Sequence, residues 1–386
     1  VTLLIRRISP PGHHFFSGYY DTPLANRDST RLLAHQTGFC DRLPTAADVA
    51  KVGWFDLHSP TPEFHELGTT QAWNFQQGSF LQWVGSDGER IFWNHAEGGS
   101  PPQGCLLDLR SGERRHVDRA LANLSRDGSH GLSFSFARMF DFRPGYGYAG
   151  QPDPNADLPA PEDDGIFLID LERGDSQLIL PLSDLARRMA DAIGGPVGKL
   201  TANHLTFCPS GERFLGLVRA PMPEPMRPRW GTFAFVANRD GTNLQSILPV
   251  GKTSHYFWED DNRLLMWCDG PEGMQLYRVT IRKEGSLLET VDTGFFLRDG
   301  HMSLSPDHQW LLYDSYPDAN REQSLFLYRM DEHRGVCIGK FAVAPFATGE
   351  IRCDLHPRWN PDGRGFTFDS THEGYRAVYA CDLAEL

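Results

Sequence analysis

The chain predicts an all-β fold, a seven-bladed β-propeller closed by its own N-terminal strand, and three observations predict it. A strand–turn–strand unit recurs from end to end on a Ser/Asn-Pro-Asp-Gly-like corner, and repetition at such a period marks a propeller. A second hairpin follows each unit. One terminal strand has no hairpin of its own. The clearest corners are Leu304-Ser-Pro-Asp-His308 before Trp310-Leu-Leu-Tyr313, and Trp359-Asn-Pro-Asp-Gly363 before Phe366-Thr-Phe368. Related corners stand at Asn26-Arg-Asp28, Ser86-Asp-Gly88, Arg126-Asp-Gly128, Pro209-Ser-Gly211 and Asp260-Asp-Asn262.

Alternating apolar residues between Asp/Gly reversals supply the hairpins. They read at Val52-Gly-Trp-Phe-Asp56, Gly104-Cys-Leu-Leu-Asp108, Gly165-Ile-Phe-Leu-Ile-Asp170, Thr232-Phe-Ala-Phe-Val236, Gln275-Leu-Tyr-Arg278 and Ser324-Leu-Phe-Leu-Tyr-Arg329. Arg376-Ala-Val-Tyr-Ala-Cys-Asp382 ends the chain without an outer strand. Val1-Thr-Leu-Leu-Ile-Arg6 is expected to supply it and so remove an exposed edge. Two stretches depart from the pattern. Gly145 to Asp164 is rich in Pro, Gly and Asp and reads as a long loop off the third blade. Leu182 to Ile193 has helical spacing, with Ser183 placed to cap it.

The 386 residues are 40% hydrophobic and 12% aromatic, ample for one continuous core, and the repeats favour a single domain over residues 1–386. A net charge of −13 argues against a nucleic-acid groove. It leaves room for an anionic sugar, because a local Arg/His cluster can invert the sign inside a channel. Seven scattered cysteines, odd in number and mostly in strand patterns, read as reduced, buried thiols. No apolar run reaches transmembrane length, and no signal peptide is visible at Val1. The expectation is a cytoplasmic protein without a membrane partner; a secreted or periplasmic protein stripped of its leader would read the same.

The strongest positional signal is a histidine near the start of the inner strand in successive units: His204, His255, His301 and His356. Equivalent inner-strand positions face the same end of the channel, so the imidazoles are expected to converge there beside Cys353 and Asp354. His255, His301, Cys353 and His356 are the metal-ligand candidates. Such a donor set suits zinc or manganese, in a catalytic or a structural role. The competing reading is that each His bonds the backbone of a neighbouring blade.

A second group lies in the first half. It comprises Trp73-Asn-Phe-Gln-Gln-Gly78, Trp93-Asn-His95, Phe134-Ser-Phe-Ala-Arg138 and Arg143-Pro-Gly-Tyr-Gly-Tyr148. Amides, a His, an Arg and two Tyr at strand ends are what recognition of a sugar carboxylate requires, and Tyr and His suit proton transfer. Gln76, Gln77, Tyr146 and Arg352 are substrate-binding candidates. Trp73, Trp83 and Trp93 read as core, and Arg138 reads equally well as a structural ion pair.

Four segments carry a family resemblance: Gly18-Tyr-Tyr-Asp21, Ala72-Trp-Asn-Phe-Gln-Gln-Gly78, Arg143-Pro-Gly-Tyr-Gly-Tyr148 and Arg352-Cys-Asp-Leu-His-Pro-Arg-Trp359. The chain resembles the propeller group of polysaccharide lyases that includes ulvan lyases, a rhamnose-glucuronate lyase and, more distantly, oligogalacturonate lyases. The resemblance implies seven blades, cleavage next to a uronic acid and a metal ion near the channel. It implies that His95 matches a catalytic His, that Tyr148 or Tyr146 serves as acid or base, and that His301, Cys353 and His356 match the metal region. One departure is Phe75, which stands where the ulvan-lyase pattern carries a further His. Another is the lack of an Arg before Asn203-His204.

The resulting expectation is β-elimination at a uronate. Arg138, His204 or Gln76/Gln77 would neutralise the carboxylate, and His95 and Tyr148 would exchange protons. The alternative is a non-catalytic sugar-binding propeller. A glycoside hydrolase would need two paired acids, and none is marked out.

Overall fold

The computed structural model describes residues 3–85, 87–222 and 230–383. Its strands form seven four-stranded antiparallel sheets, the blades of a propeller. Their inner strands are His14–Phe16, Gln82–Val84, Asn123–Leu124, Thr201–Phe207, Thr253–Asp260, Met302–Leu304 and Arg358–Trp359, in the order of blades 1 to 7. Blade 7 takes its outer strand from the other end of the chain: Leu3–Arg7 pairs antiparallel with Ala377–Leu383, Leu3 opposite Leu383 and Arg7 opposite Tyr379. Ring closure by the N-terminal strand therefore holds over Leu3–Arg7. Val1 and Thr2, and Ser86 of the second corner, lie outside the described residues.

The corners fold as their residues dictate. In blade 6, Ser305 Oγ accepts from Trp310 N at 2.9 Å and donates to Asp307, whose carboxylate also takes Gln309 N at 3.0 Å. These side chains stand in for water on a turn that a sheet ladder cannot satisfy. Blade 7 repeats the device, with Gly363 N donating to Asn360 O and Arg364 N to Asp362, both at 2.9 Å.

Stability comes from wedges of apolar side chains between neighbouring blades. Ile91, Trp93 and Leu107 of blade 2 pack with Leu32, Leu33 and Phe55 of blade 1, and Leu312, Leu325 and Leu327 of blade 6 with Phe366 and Phe368 of blade 7. Truncating one such Leu to Ala costs about 2–5 kcal/mol. All seven cysteines are free, and only Cys337 is exposed. No helix among the described residues is long and apolar enough to cross a membrane.

Two helices interrupt the repeat. Helix α1 (Phe136–Phe142) occupies sequence expected to be a strand end: Ser135 caps it, accepting from Arg138 N at 3.1 Å. Helix α2 (Leu182–Ile193) is where the spacing put it, but Ser183 does not cap it. Pro181 is the N-cap, because the preceding strand runs straight into the helix. The first amides instead find carbonyls of the long 145–164 loop, Leu182 N to Asp164 O at 2.8 Å and Ser183 N to Pro161 O at 3.1 Å.

Candidate active site and metal centre

The segment Gly18–Asp21 enters the channel and organises one end of it. Arg358 Nε donates to Tyr19 O at 2.9 Å, and the Tyr20 hydroxyl donates to Tyr256 O at 2.7 Å while accepting from Tyr256 N at 3.0 Å. Around these two phenols stand the four histidines, His204 and His255 in the inner strands of blades 4 and 5, His301 and His356 just before those of blades 6 and 7. Ring centroids of His255 and His301 are 4.1 Å apart, those of His301 and His356 4.3 Å, and that of His204 is 5.2 Å from Tyr19. The convergence read from the repeat is present, but the four imidazoles divide into two sets with different partners.

The first set is a ligand group. Nitrogens of His301 and His356 and a carboxylate oxygen of Asp354 lie within 4.8 Å of one another, all buried. Both Nε2 atoms and both Asp354 oxygens lack a hydrogen-bond partner, which is costly unless something else occupies them. Arg352 Nε lies 2.8 Å from Asp354 Oδ2 but is not aligned as a donor. The opposite edges of the rings are fixed. His301 Nδ1 sits 3.0 Å from Asp314 Oδ1, and His356 Nδ1 donates to Gly18 O at 2.9 Å. Asp314 also accepts from the backbone amides of His301 and His356, at 2.6 and 3.0 Å, so one carboxylate orients both ligand residues. His356 holds φ at +44°, a strained backbone for a residue with a Cβ, and such strain gathers at functional positions. Two imidazoles and a carboxylate with fixed tautomers and idle inner atoms fit a divalent cation.

Two of the four predicted ligands are not in that group. Cys353 packs with Val343 and Ala347, and burial pushes its thiol up to about 12, away from the thiolate a metal needs. Its neighbour Asp354, in the irregular segment before Arg358–Trp359, joins the group in its place. His255 instead bonds Asp299, Nδ1 to Oδ1 at 3.0 Å, and burial with the neighbouring His301 charge lowers its pKa to about 4.

The second set is a pocket. Arg143, Tyr146, His204, Arg219, His255 and Tyr316 line a small polar cavity at the same channel end. Register slips around Asn203 and around Ser254–His255 insert bulges into the inner strands of blades 4 and 5, and bulges re-aim side chains beside sites. His204 Nε2 meets Asp21 Oδ2 at 2.6 Å. Arg219, from the second strand of blade 4, has no carboxylate within ion-pair distance among the described residues. Its contacts are 3.4 Å to Asn203 Oδ1 and 3.4 Å to Thr253 O, and its Nε is unpartnered. Burial and Arg143 both disfavour its charge and lower its pKa. Such a guanidinium is poised for an anion. Arg219 was not among the sequence candidates; it lines the same cavity as Asn203 and His204.

The remaining candidates are placed elsewhere. Arg138 is consumed by structure: Nη1 pairs with Asp153 at 3.0 Å, and Nε, Nη1 and Nη2 donate to the carbonyls of Leu200, Asn155, Leu158 and Pro159. It pins the long loop to α1 and is not free for a substrate. His95 and Tyr148 are not brought together. Asn94 turns toward blade 3 and donates to the Tyr148 hydroxyl at 2.8 Å, so the next residue, His95, turns the other way, to Thr69 O at 3.1 Å in blade 1. Tyr148 is stacked on Phe136 at 4.3 Å, and burial raises its pKa. It packs from within the 145–164 loop. Tyr146 does line the pocket, accepting from Arg352 Nη2 at 2.6 Å. Gln76 Nε2 donates to Arg352 O at 2.9 Å, and Gln77 is buried in the Asn74–Gly78 turn, where its backbone N donates to Asn74 Oδ1 at 2.8 Å; the Oε1 atoms of both side chains are buried without a hydrogen-bond partner. Phe75 packs against Phe16 and Trp73 beneath Arg376.

No protein-family model matches the chain, and no curated protein matches it in sequence. Solved structures match in fold. An oligogalacturonate lyase in complex with manganese aligns over 99% of this chain and 93% of its own, with a TM-score of 0.66 and 16% identity. An oligogalacturonate lyase from Vibrio parahaemolyticus aligns over 100% and 98%, with a TM-score of 0.64 and 15% identity. A prolyl endopeptidase structure aligns over 97% of this chain and 47% of its own, at 0.54 and 12%. At such identities the likeness is one of fold, and chemistry has to be argued from the site.

Proposed function

We propose that the protein is a carbon–oxygen lyase that cleaves an anionic oligo- or polysaccharide next to a uronic acid. The observation that carries this reading is the juxtaposition, in one cavity, of a buried Arg219 without a carboxylate partner and His255, an imidazole kept neutral. The oligogalacturonate lyase names of the two structural neighbours support the same substrate class. The ulvan and rhamnose-glucuronate relatives of the sequence resemblance remain substrates to test beside pectic fragments.

Arg219 pairs with the uronate carboxylate and offsets its charge, so that the proton on the adjacent ring carbon becomes acidic. Asp299 holds His255 through Nδ1, which leaves Nε2 as an acceptor for that proton. As the carbon–hydrogen bond breaks, a double bond forms toward the neighbouring carbon and its glycosidic oxygen departs. Burial holds the Tyr19 and Tyr316 hydroxyls protonated, so they are donors for the leaving oxygen. His301, Asp354 and His356 would hold a divalent cation, manganese or zinc, which when bound supplies positive charge to stabilise the enolate.

The test is the ultraviolet absorbance of the unsaturated uronate, followed with pectic oligosaccharides, ulvan and glucuronate-capped arabinogalactan. His255→Gln should lower the rate by about 10²–10⁴-fold with at least one of them. Binding without any unsaturated product would establish the sugar-binding alternative instead. Neither binding nor product would remove the uronate reading altogether.

A further inference from the structure

The cavity holds a second guanidinium, and its partner is unusual. Arg143, from the loop after α1, reaches Glu350 on the short 3-10 turn Gly349–Ile351 before blade 7, Nε to Oε1 at 3.4 Å. That distance is long for a charge-assisted bond. The other carboxylate oxygen, Oε2, is buried and has no hydrogen-bond partner at all. The pairing is nevertheless built in. Arg143 lies over the Tyr146 ring at 4.2 Å, Gln76 and Arg376 tie down the Arg352 carbonyl at 2.9 and 3.0 Å, and a Cβ on Gly145 would overlap the Glu350 carboxylate. Two loops more than 200 residues apart thus meet at the cavity-lining Arg143 through one half-satisfied carboxylate.

Arg143 and Arg219 line the cavity, and Arg352 bonds the lining Tyr146; the carboxylates beside these groups are Glu350 at Arg143, Asp354 at Arg352, Asp21 at His204 and Asp299 at His255. We propose that Glu350 is a specificity-determining residue, an internal anion that competes with the ligand carboxylate for Arg143. A uronate displaces it and gains a second arginine contact beside Arg219. A neutral sugar has no charge with which to displace it and meets a neutralised Arg143. The proposal rests on the reading that this cavity takes a uronate, and it adds a residue that tunes charge selectivity by competition.

Calorimetric titration of galacturonate, with galactose as the neutral control, tests it on the wild type, Glu350→Gln, Arg143→Gln and the double variant. Glu350→Gln is nearly isosteric, and its side chain is one-third exposed, so folding should survive; Glu350→Ser is a second neutral variant. The expected result is galacturonate binding about tenfold tighter in both neutral variants, with galactose unchanged. In the Arg143→Gln background the gain from Glu350→Gln should vanish, a coupling that a merely structural role would not produce. Equal galacturonate affinity in wild type and both Glu350 variants would overturn the competition while leaving the cavity a uronate site. Absence of galacturonate binding to every protein would overturn both.

Discussion

At His35 the fold commits an imidazole to its neutral form. Ser79 N donates to Nε2 at 3.0 Å, so Nδ1 carries the proton and faces Ser17 O at 3.2 Å, and the ring stacks on Phe16 at 4.8 Å. Burial lowers its pKa to about 4. An unfolded His takes up its proton near 6.5, so between about 6.5 and 4 the unfolded chain binds the extra proton. Stability therefore falls as pH drops through that window, by about 3 kcal/mol for this residue once below it. Urea unfolding from pH 7 to pH 4, with imidazole chemical shifts followed by NMR, measures both effects; a His35 ring that protonates near pH 6 would contradict the assignment. Its neighbour gives a sharper steric test. Gly78 has φ of +63°, and a Cβ there would overlap the His35 ring. Gly78→Ala should destabilise by at least about 2 kcal/mol, and a loss within error in chemical denaturation would show that the ring can yield. Residues of this kind bound what the sequence discloses about the site. His301 and His356 were legible because the repeat fixes their place. Arg219 was not, since it reaches the cavity from a second strand across a bulge that no spacing announces. Arg138 and Tyr148 looked functional because their partners, loop carbonyls and Asn94, are remote in the chain.

Blades were legible as elements because a period-two apolar pattern and an Asx-Pro-Asp corner are local, and each corner closes with its own side chains. The helices were less so. Helix α1 was hidden because Phe134-Ser-Phe-Ala reads as alternation until Ser135 is recognised as a cap; Ser135→Ala should cost about 1 kcal/mol, read as a shift in the denaturation midpoint without change of slope. The closing strand makes a stronger claim. Leu3–Arg7 contributes the edge of blade 7, with Leu3 and Ile5 packed on its apolar cluster and Arg7 bonded to the Tyr375 hydroxyl at 2.6 Å. Removing residues 1–7 should expose the Ala377–Leu383 edge, lower the melting temperature by roughly 5 °C or more, and promote association through that edge. A trimmed protein that melts with the full-length chain and stays monomeric in sedimentation would show that the ring does not depend on the closure.

At the scale of the whole molecule, the candidate metal centre spans the place where the ring is sewn together. His301 precedes the inner strand of blade 6, Asp354 and His356 precede that of blade 7, and His356 is bonded to Gly18 at the entry from blade 1. A cation held there would join three successive blades next to the closing strand, so binding should be visible as global stability. A ligand that binds only the folded state stabilises it by about 2.7 kcal/mol at a hundred times its dissociation constant. Manganese or zinc added to chelator-stripped protein should therefore raise the melting temperature in a concentration-dependent way. Asp354→Asn should remove the response by taking a charged oxygen out of the group. Asp314→Asn should weaken affinity by about 10–100-fold, because Asp314 sets the orientation of both imidazoles without belonging to the group itself. His95→Ala, whose ring faces Thr69 O in blade 1 and stands outside the group, should leave the response intact. If neither metal shifts the melting curve and elemental analysis finds none bound, the idle atoms of His301, Asp354 and His356 need another explanation. In the proposed elimination, the stabilising positive charge would then fall to Arg219, with the protonated pocket phenols as hydrogen-bond donors.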